Sequence, residues 1–281
     1  MQSARELVSR VFDKSPFIID EGLLNEGGML FVGGPPKSYK SFTVNTLIYH
    51  LTTGTNLFGA VHKKSRSEHP RFNVQRAYRV LLLEQEIGDF SLKDRIKPLG
   101  DTLPEQQRAM FYDNLFTHSC DRELRLDTQD GCYKIRDLCL ESKAEILCLD
   151  PFVEFHHCDE NSTKEMSATL RGVDFLRDSL KIAVIISHHA GKSLTLGGAD
   201  ALRGSSAIFA KGDSYLMLNV HNRSAALIKI NPTIRRGIPI RDFLIRLDWS
   251  TLTFHFQAWA TGKVMTETLM QDAPVLTEEE Q

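Results

Sequence analysis

The chain has 281 residues, 42% of them hydrophobic and 25% charged, which suits one large or two small α/β domains of ordinary globular composition. Its 34 basic and 36 acidic side chains leave a formal charge of −2, which excludes an overall positive field for nucleic acid; such contact would need a local basic surface or a ring. Its five cysteines form no C-x-x-C pair, and no signal peptide or apolar run of about 18 residues is recognisable, so we expect a cytoplasmic protein with no membrane contact.

The first predicted element is a short amphipathic helix over residues 4–12. Its apolar side chains Leu7, Val8, Val11 and Phe12 fall on one face of a helix. We therefore expect residues 1–16 to form an N-terminal helix or arm that packs on its own domain or on a neighbour.

A glycine-rich turn then joins a predicted strand to a predicted helix. The run Gly33-Gly34-Pro35-Pro36-Lys37-Ser38-Tyr39-Lys40-Ser41 lies between an apolar strand, 29–32, and an apolar-periodic helix, 42–51. This order is typical of a phosphate-binding loop, in which amides at a helix N-terminus surround phosphate groups. Lys40 would reach the β- and γ-phosphates of ATP, and Ser41 would bind Mg²⁺. The other predicted nucleotide contacts are Gly34, Lys37, Ser38, Tyr39 and Phe42.

This loop departs from the G-x-x-x-x-G-K-[ST] pattern. Tyr39 occupies the position of the second glycine, and Pro35 and Pro36 have no N–H group, so the phosphate donors must come from Lys37 onward. An ordinary βα turn remains the alternative interpretation.

Six basic residues lie between positions 62 and 79. They indicate either a loop that contacts a nucleic-acid backbone or a solvated surface insertion. They are Lys63, Lys64, Arg66, Arg71, Arg76 and Arg79.

Two further predicted strands end in carboxylates. The strand at 80–83 leads into Glu84-Gln85-Glu86, where Glu84 or Glu86 could activate a water molecule, or be a surface acid. Predicted helices near 90–99 and at 129–142 follow. The apolar strand at 145–150 then ends in Asp150, as in a Walker B strand whose carboxylate holds the water shell of Mg²⁺.

The loop His156-His157-Cys158-Asp159-Glu160 carries metal-binding side chains, but their adjacency disfavours zinc and favours a mobile loop at the active site or a channel. A helix at 163–180, capped at Ser162 or Thr163, leads to a buried strand at 182–186. That strand ends in Ser187-His188-His189, where the histidines could sense bound ATP or ADP, or be satisfied by carbonyl groups.

The last part of the sequence contains a glycine-rich loop at 191–200, a helix opened by Arg203-Gly204-Ser205-Ser206, and four β-patterned segments. These segments, at 215–220, 225–230, 243–247 and 252–256, predict antiparallel hairpins at the sheet edge. Residues 263–281 form an acidic tail that we expect to be frayed.

This ordered set of motifs, over residues 17–218, resembles the RecA-like ATPase core and, within it, the RepA-type plasmid-replication helicases. KaiC-like and DnaB-like ATPases share the core more distantly. The resemblance implies an α/β fold, with a mostly parallel twisted sheet flanked by helices and C-terminal antiparallel β-hairpins. It places a RecA-like ATPase domain at 17–262, between the arm and the tail.

The resemblance also implies roles for individual residues. Glu86, nine residues before Arg95-Ile96, would activate water, Lys40 would bind phosphate, and His188 and His189 would sense the nucleotide. Ser41 and Asp150 would hold Mg²⁺. The position that supplies an arginine finger in this family is occupied here by Asp213. Either Arg203 or Lys211 would then take the role of the finger, or the protein would be a slow ATPase.

As a whole, the resemblance implies an ATP-dependent DNA helicase or translocase in replication of a plasmid, phage or mobile element. It would form a ring, usually a hexamer, with single-stranded DNA in its channel, gripped by core loops at 153–163 and 191–202. A replication initiator or primase is a further expected partner. The alternatives are a KaiC- or recombinase-mediator-like switch with slow hydrolysis, and a non-enzymatic P-loop scaffold.

Overall fold

A computed structural model of the chain describes residues 2–10, 17–59, 70, 72–189, 206–235, 237 and 239–260. Several predictions fall outside these residues: Arg203, the 191–202 loop, the 263–281 tail, and four of the six basic residues between 62 and 79. Within them, no helix combines the length and the apolar character that crossing a membrane requires.

Nine strands form one sheet, in the order β11-β10-β9-β8-β3-β7-β6-β4-β5. The strands from β3 to β7, together with β8, run parallel, whereas β8 to β11 pair with one another antiparallel. Two short strands, β1 and β2, make a separate antiparallel pair. The strands are β1 (Phe17–Ile19), β2 (Leu24–Asn25), β3 (Met29–Gly34), β4 (Val80–Glu84), β5 (Leu115–Ser119), β6 (Ile146–Asp150), β7 (Ala183–His189), β8 (Ser214–Asn222), β9 (Leu227–Ile234), β10 (Phe243–Asp248) and β11 (Thr253–Trp259).

Three of the described helices begin after a residue whose side chain caps them. Thr128 and Ser162 accept hydrogen bonds from the first-turn amides of α5 and α6, and Gly54 ends α2 in the left-handed conformation. The helices of the described residues are α1 (Ala4–Ser9), α2 (Lys40–Thr53), α3 (Asp89–Asp101), α4 (Glu105–Asn114), α5 (Gln129–Ser142), α6 (Thr163–Leu180) and α7 (Ser206–Lys211).

The core lies on both faces of the sheet because side chains alternate along each strand. In β3, Leu30 and Val32 pack into the cluster that contains α2, while Met29 and Phe31 pack into the cluster that contains α6. All four of these side chains are fully buried. The strands at the centre of the sheet are therefore apolar on both faces, as expected for parallel strands covered by helices.

The N-terminal helix is shorter than predicted. It ends at Ser9, because Arg10 has extended backbone angles, and none of its residues is buried. Leu7 is 52% exposed and Val8 is 84% exposed, so these two apolar side chains are not buried by the described part of the chain. The other two residues of the predicted face, Val11 and Phe12, lie outside the described residues.

Candidate functional site

A cavity of about 560 Å³ opens at the carboxyl ends of β3, β6 and β7. This is the edge of an open α/β sheet at which ligands bind. The residues that line it are Pro36, Lys37, Ser38, Tyr39, Lys40, Ser41, Phe42, Glu86, Arg95, Asp150, Pro151, Ser187, His189 and Arg223.

The glycine-rich turn wraps around the buried ammonium group of Lys40. Its Nζ donates hydrogen bonds to the carbonyl oxygens of Gly34 and Pro35, at 3.1 and 3.0 Å. Burial lowers the pKa of Lys40 to about 8, although the carboxylates of Asp150 and Glu86 oppose this shift. A polyanion in the cavity would favour the charged form of this lysine, so the loop suits a phosphate ligand.

The path of the turn depends on backbone conformations that are uncommon for side-chain-bearing residues. Lys37 and Tyr39 have φ angles of 59° and 65°, in the left-handed region. At Gly34, a Cβ atom would lie 2.9 Å from the carbonyl oxygen of Leu218, so only glycine fits there. The loop therefore keeps its compact turn without the second glycine of the sequence pattern.

Asp150 and Ser41 lie together on the floor of the cavity. Burial raises the pKa of Asp150, while the neighbouring hydroxyl groups of Ser187 and Ser41 lower it. A carboxylate and a serine hydroxyl are hard oxygen ligands of the kind that Mg²⁺ prefers. These two side chains fit the magnesium site that the sequence predicted at the end of the Walker B strand.

The two acids that follow β4 occupy different environments. Glu84 is buried, and its Oε1 accepts hydrogen bonds from the amides of Glu86 and Ile87, at 2.9 and 3.2 Å. Burial and the neighbouring Asp150 raise the pKa of Glu84 to about 7. Glu86, in contrast, is exposed and lines the cavity. Of the two, only Glu86 can approach a water molecule there.

The paired histidines at the end of β7 point to opposite sides. His189 lines the cavity, and its pKa is lowered by burial and then by the charge of Lys40. His188 is fully buried, and its Nδ1 lies 3.7 Å from Glu160 Oε1. The structure thus brings His189, but not His188, to the predicted nucleotide site, because successive residues of a strand face opposite ways.

Of the two candidate finger residues, Lys211 lies away from this chain's own cavity, as does Asp213 at the family's finger position, and Arg203 is outside the described residues. Lys211 forms an ion pair with Asp174, and Asp213 accepts a hydrogen bond of 3.0 Å from the amide of Met29, at the opposite end of β3.

In the histidine-rich loop, His156 Nδ1 lies 3.1 Å from Cys158 Sγ. No group of three or more His, Cys, Asp or Glu side chains in the described part of the chain has a metal-binding arrangement.

Two arginines of the cavity were not predicted as site residues. Arg95 in α3 lies over the ring of Phe42, 5.7 Å from its centroid. Arg223, in the β8–β9 turn, donates a hydrogen bond of 3.4 Å to the Lys37 carbonyl. The turn reaches the loop because β8 runs parallel to β3, so both strands end at the same edge of the sheet. For Arg223, the sequence signal was the break between the β-patterned segments 215–220 and 225–230, and for Arg95 it was the spacing to Glu86.

Comparison with known proteins assigns the chain to a family. A solved ATPase domain resembles the chain with a TM-score of 0.57 and 12% sequence identity, over 82% of this chain and 84% of that one. This similarity confirms the predicted RecA-like P-loop ATPase fold. No curated protein matches the chain. A family model described as AAA domain matches residues 12–194, which is more than half of the sequence, and the chain therefore belongs to this AAA domain family.

Proposed function

We propose that this protein is an ATP-hydrolysing motor of the RepA/DnaB-like type that translocates on single-stranded DNA. The observation that carries the proposal is the meeting of Lys40, Ser41, Asp150, Glu86 and His189 around one cavity. These residues come from three strand ends and a helix N-terminus that lie far apart in the sequence. These residue types match what phosphoryl transfer needs, namely a cationic side chain that binds the phosphates, ligands for a metal ion, and an acid that orients water.

Each residue has a distinct part in the proposed reaction. Glu86 orients a water molecule for in-line attack and accepts its proton, while Lys40 neutralises charge on the phosphate oxygens. Ser41 and Asp150 would hold Mg²⁺, which would supply further positive charge to the phosphates. His189, which lies near both Lys40 and Glu86, responds to the presence of the terminal phosphate. His188, buried beside Glu160, supports the strand end from the opposite side.

The larger assembly that we propose is a ring, usually a hexamer, that encloses single-stranded DNA and acts in replication of a plasmid, phage or mobile element. The resemblance of the motif set to RepA-type helicases supports it. A replication initiator or primase as partner, and a cytoplasmic location, rest on the same resemblance.

ATPase measurements with and without single-stranded DNA test this proposal. We expect DNA to stimulate wild-type turnover, and Lys40→Ala to lower turnover by about 10²-fold or more, because charge stabilisation of the phosphates is lost. Lys93→Ala, which removes an exposed lysine of α3, is the matched control and should keep wild-type turnover. A wild-type rate that DNA does not change and that Lys40→Ala does not lower would contradict a motor.

A second candidate is an ATP-binding switch that hydrolyses slowly. It is favoured by Asp213 at the expected finger position and by Lys211 being paired with Asp174. Strand displacement on a forked duplex separates the two, since a motor displaces the strand and a switch does not.

The third possibility, a P-loop scaffold that binds no nucleotide, is tested by thermal unfolding. Mg²⁺-ATP at 100 times its Kd should stabilise either nucleotide-binding form by about 2.7 kcal/mol, and a scaffold not at all.

A further inference from the structure

Tyr39 occupies a backbone position that favours glycine. It is the N-cap residue of α2, with φ 65° and ψ 26°, and its side chain forms no capping hydrogen bond. Residues with a side chain adopt this left-handed conformation at a cost. Since the phosphate-loop pattern has glycine here, some other interaction must stabilise the turn in this chain.

The ring of Tyr39 lies in an aromatic cluster that supplies this interaction. Its centroid is 6.1 Å from the Phe42 ring, 6.4 Å from the Trp249 ring and 6.3 Å from the Phe254 ring. The contacts with Trp249 and Phe254 are edge-on, at interplanar angles of 66° and 89°, an arrangement that aromatic pairs prefer. Trp249 lies in the β10–β11 turn and Phe254 in β11, so the ring joins the loop to this C-terminal hairpin.

Further contacts hold the same hairpin against the start of α2. The Phe42 ring lies 6.3 Å from the Trp249 ring, and the amide of Phe254 donates a hydrogen bond of 3.1 Å to Thr46 Oγ1. Tyr39 and Phe42 also line the cavity, so one pair of residues faces both the hairpin and the proposed nucleotide.

We propose that Tyr39 is a positioning residue of the phosphate loop. Its ring, held by the β10–β11 hairpin, keeps the cavity-lining loop in its left-handed turn. Nucleotide binding and the position of the Trp249 turn are therefore coupled, although Trp249 is not among the residues lining the cavity. The inference rests on the proposed ATP site and adds to it a contact that the sequence pattern would assign to glycine.

The test is a double-mutant cycle on nucleotide affinity. Calorimetry with Mg²⁺ and the non-hydrolysable analogue AMP-PNP is carried out on wild type, Tyr39→Gly, Trp249→Ala and the double variant. Tyr39→Phe keeps the ring and serves as the conservative control. Trp249 is 60% exposed, so its replacement should leave the fold intact, which thermal unfolding of each variant checks.

We expect Tyr39→Gly to weaken binding about tenfold and Trp249→Ala by a few-fold, because each removes ring contacts that order the loop. The double variant should bind no more weakly than Tyr39→Gly, since the two changes break one interaction. Tyr39→Phe should bind like wild type. In a Trp259→Phe background, Trp249 is the only remaining tryptophan, and AMP-PNP should change its emission in the presence of Tyr39 but not in Tyr39→Gly.

The inference is overturned if Tyr39→Gly binds AMP-PNP as tightly as wild type, or if the affinity losses of Tyr39→Gly and Trp249→Ala multiply in the double variant. Either result would leave the proposed ATP site intact. Wild-type protein that binds no AMP-PNP would overturn both. If Tyr39→Gly does not fold, the AMP-PNP affinities of Trp249→Ala and Tyr39→Phe are compared with that of wild type. Equal affinity of all three proteins contradicts the coupling.

Discussion

Two glutamates separated by a single residue, Glu84 and Glu86, differ in what their surroundings allow them to do. Glu84 is buried next to Asp150 and accepts two amide hydrogen bonds, whereas Glu86 is exposed at the cavity. The raised pKa of Glu84, about 7, reflects this burial and the like charge of Asp150. We infer that Glu84 shapes the turn that presents Glu86, and that Glu86 carries out the chemistry.

Replacing each acid by its amide tests this division of roles. Glu86→Gln should lower single-turnover ATP hydrolysis by about 10²-fold or more, with little change in nucleotide affinity, because it removes only the proton acceptor. Glu84→Gln, the matched control, can still accept the amide hydrogen bonds and should lose far less activity. A larger loss in Glu84→Gln than in Glu86→Gln would show that the roles are reversed.

The pKa of Glu84 also predicts how stability depends on pH. Because the folded-state pKa, about 7, exceeds the ordinary glutamate value of 4.5, the folded protein binds this proton more tightly than the unfolded chain. The proton's contribution to stability is therefore fully present below about pH 4.5 and is lost as pH rises through 7. In Glu84→Gln this loss is absent.

Urea unfolding without Mg²⁺, at pH 5 and at pH 8, measures the effect. Relative to wild type, the unfolding free energy of Glu84→Gln should rise by about 2 kcal/mol between these pH values. Other titrating groups are shared by both proteins and largely cancel in the difference. A difference that stays constant between pH 5 and pH 8 would contradict the assigned pKa.

Among the elements, those that carry a local signal were predictable from the sequence. The bounds of α5 and α6 were correct because Thr128 and Ser162 are caps and the apolar periodicity is strong. Helix α4 was not predicted, because Phe111 is its only buried residue and its apolar periodicity is correspondingly weak. The N-terminal helix was predicted too long, since it ends at Ser9, and none of the residues Ala4–Ser9 is buried.

Residues of the candidate site could be predicted only where their position relative to a strand end in the sequence determined where they lie. Lys40, Ser41 and Asp150 follow strands at fixed positions, so their meeting at one sheet edge was foreseeable. The separation of His188 from His189 also follows from strand alternation. The contacts of Arg223 and Trp249 were not foreseeable, because they depend on how the C-terminal hairpins pack beside β3 and α2.

On the scale of the whole molecule, one sheet with helices on both faces brings the ends of β3, β4, β6 and β7 to a common edge. The C-terminal strands β8 to β11 extend that sheet. Two of the turns that connect them contact the phosphate loop, one through Arg223 and the other through Trp249. The proposed function requires that this edge of the sheet bind a nucleotide. Ring formation and DNA translocation, as proposed, both need it.

Calorimetric titration of the full chain with AMP-PNP, with and without Mg²⁺, tests this central claim most directly. We expect one nucleotide per chain in the presence of Mg²⁺, weaker binding in its absence, and loss of the Mg²⁺ effect in Asp150→Asn, because that variant removes the proposed carboxylate ligand of the metal. Lys40→Ala should weaken binding with or without Mg²⁺. Wild-type protein that takes up no nucleotide, or binding that neither Lys40→Ala nor Asp150→Asn changes, would contradict the account.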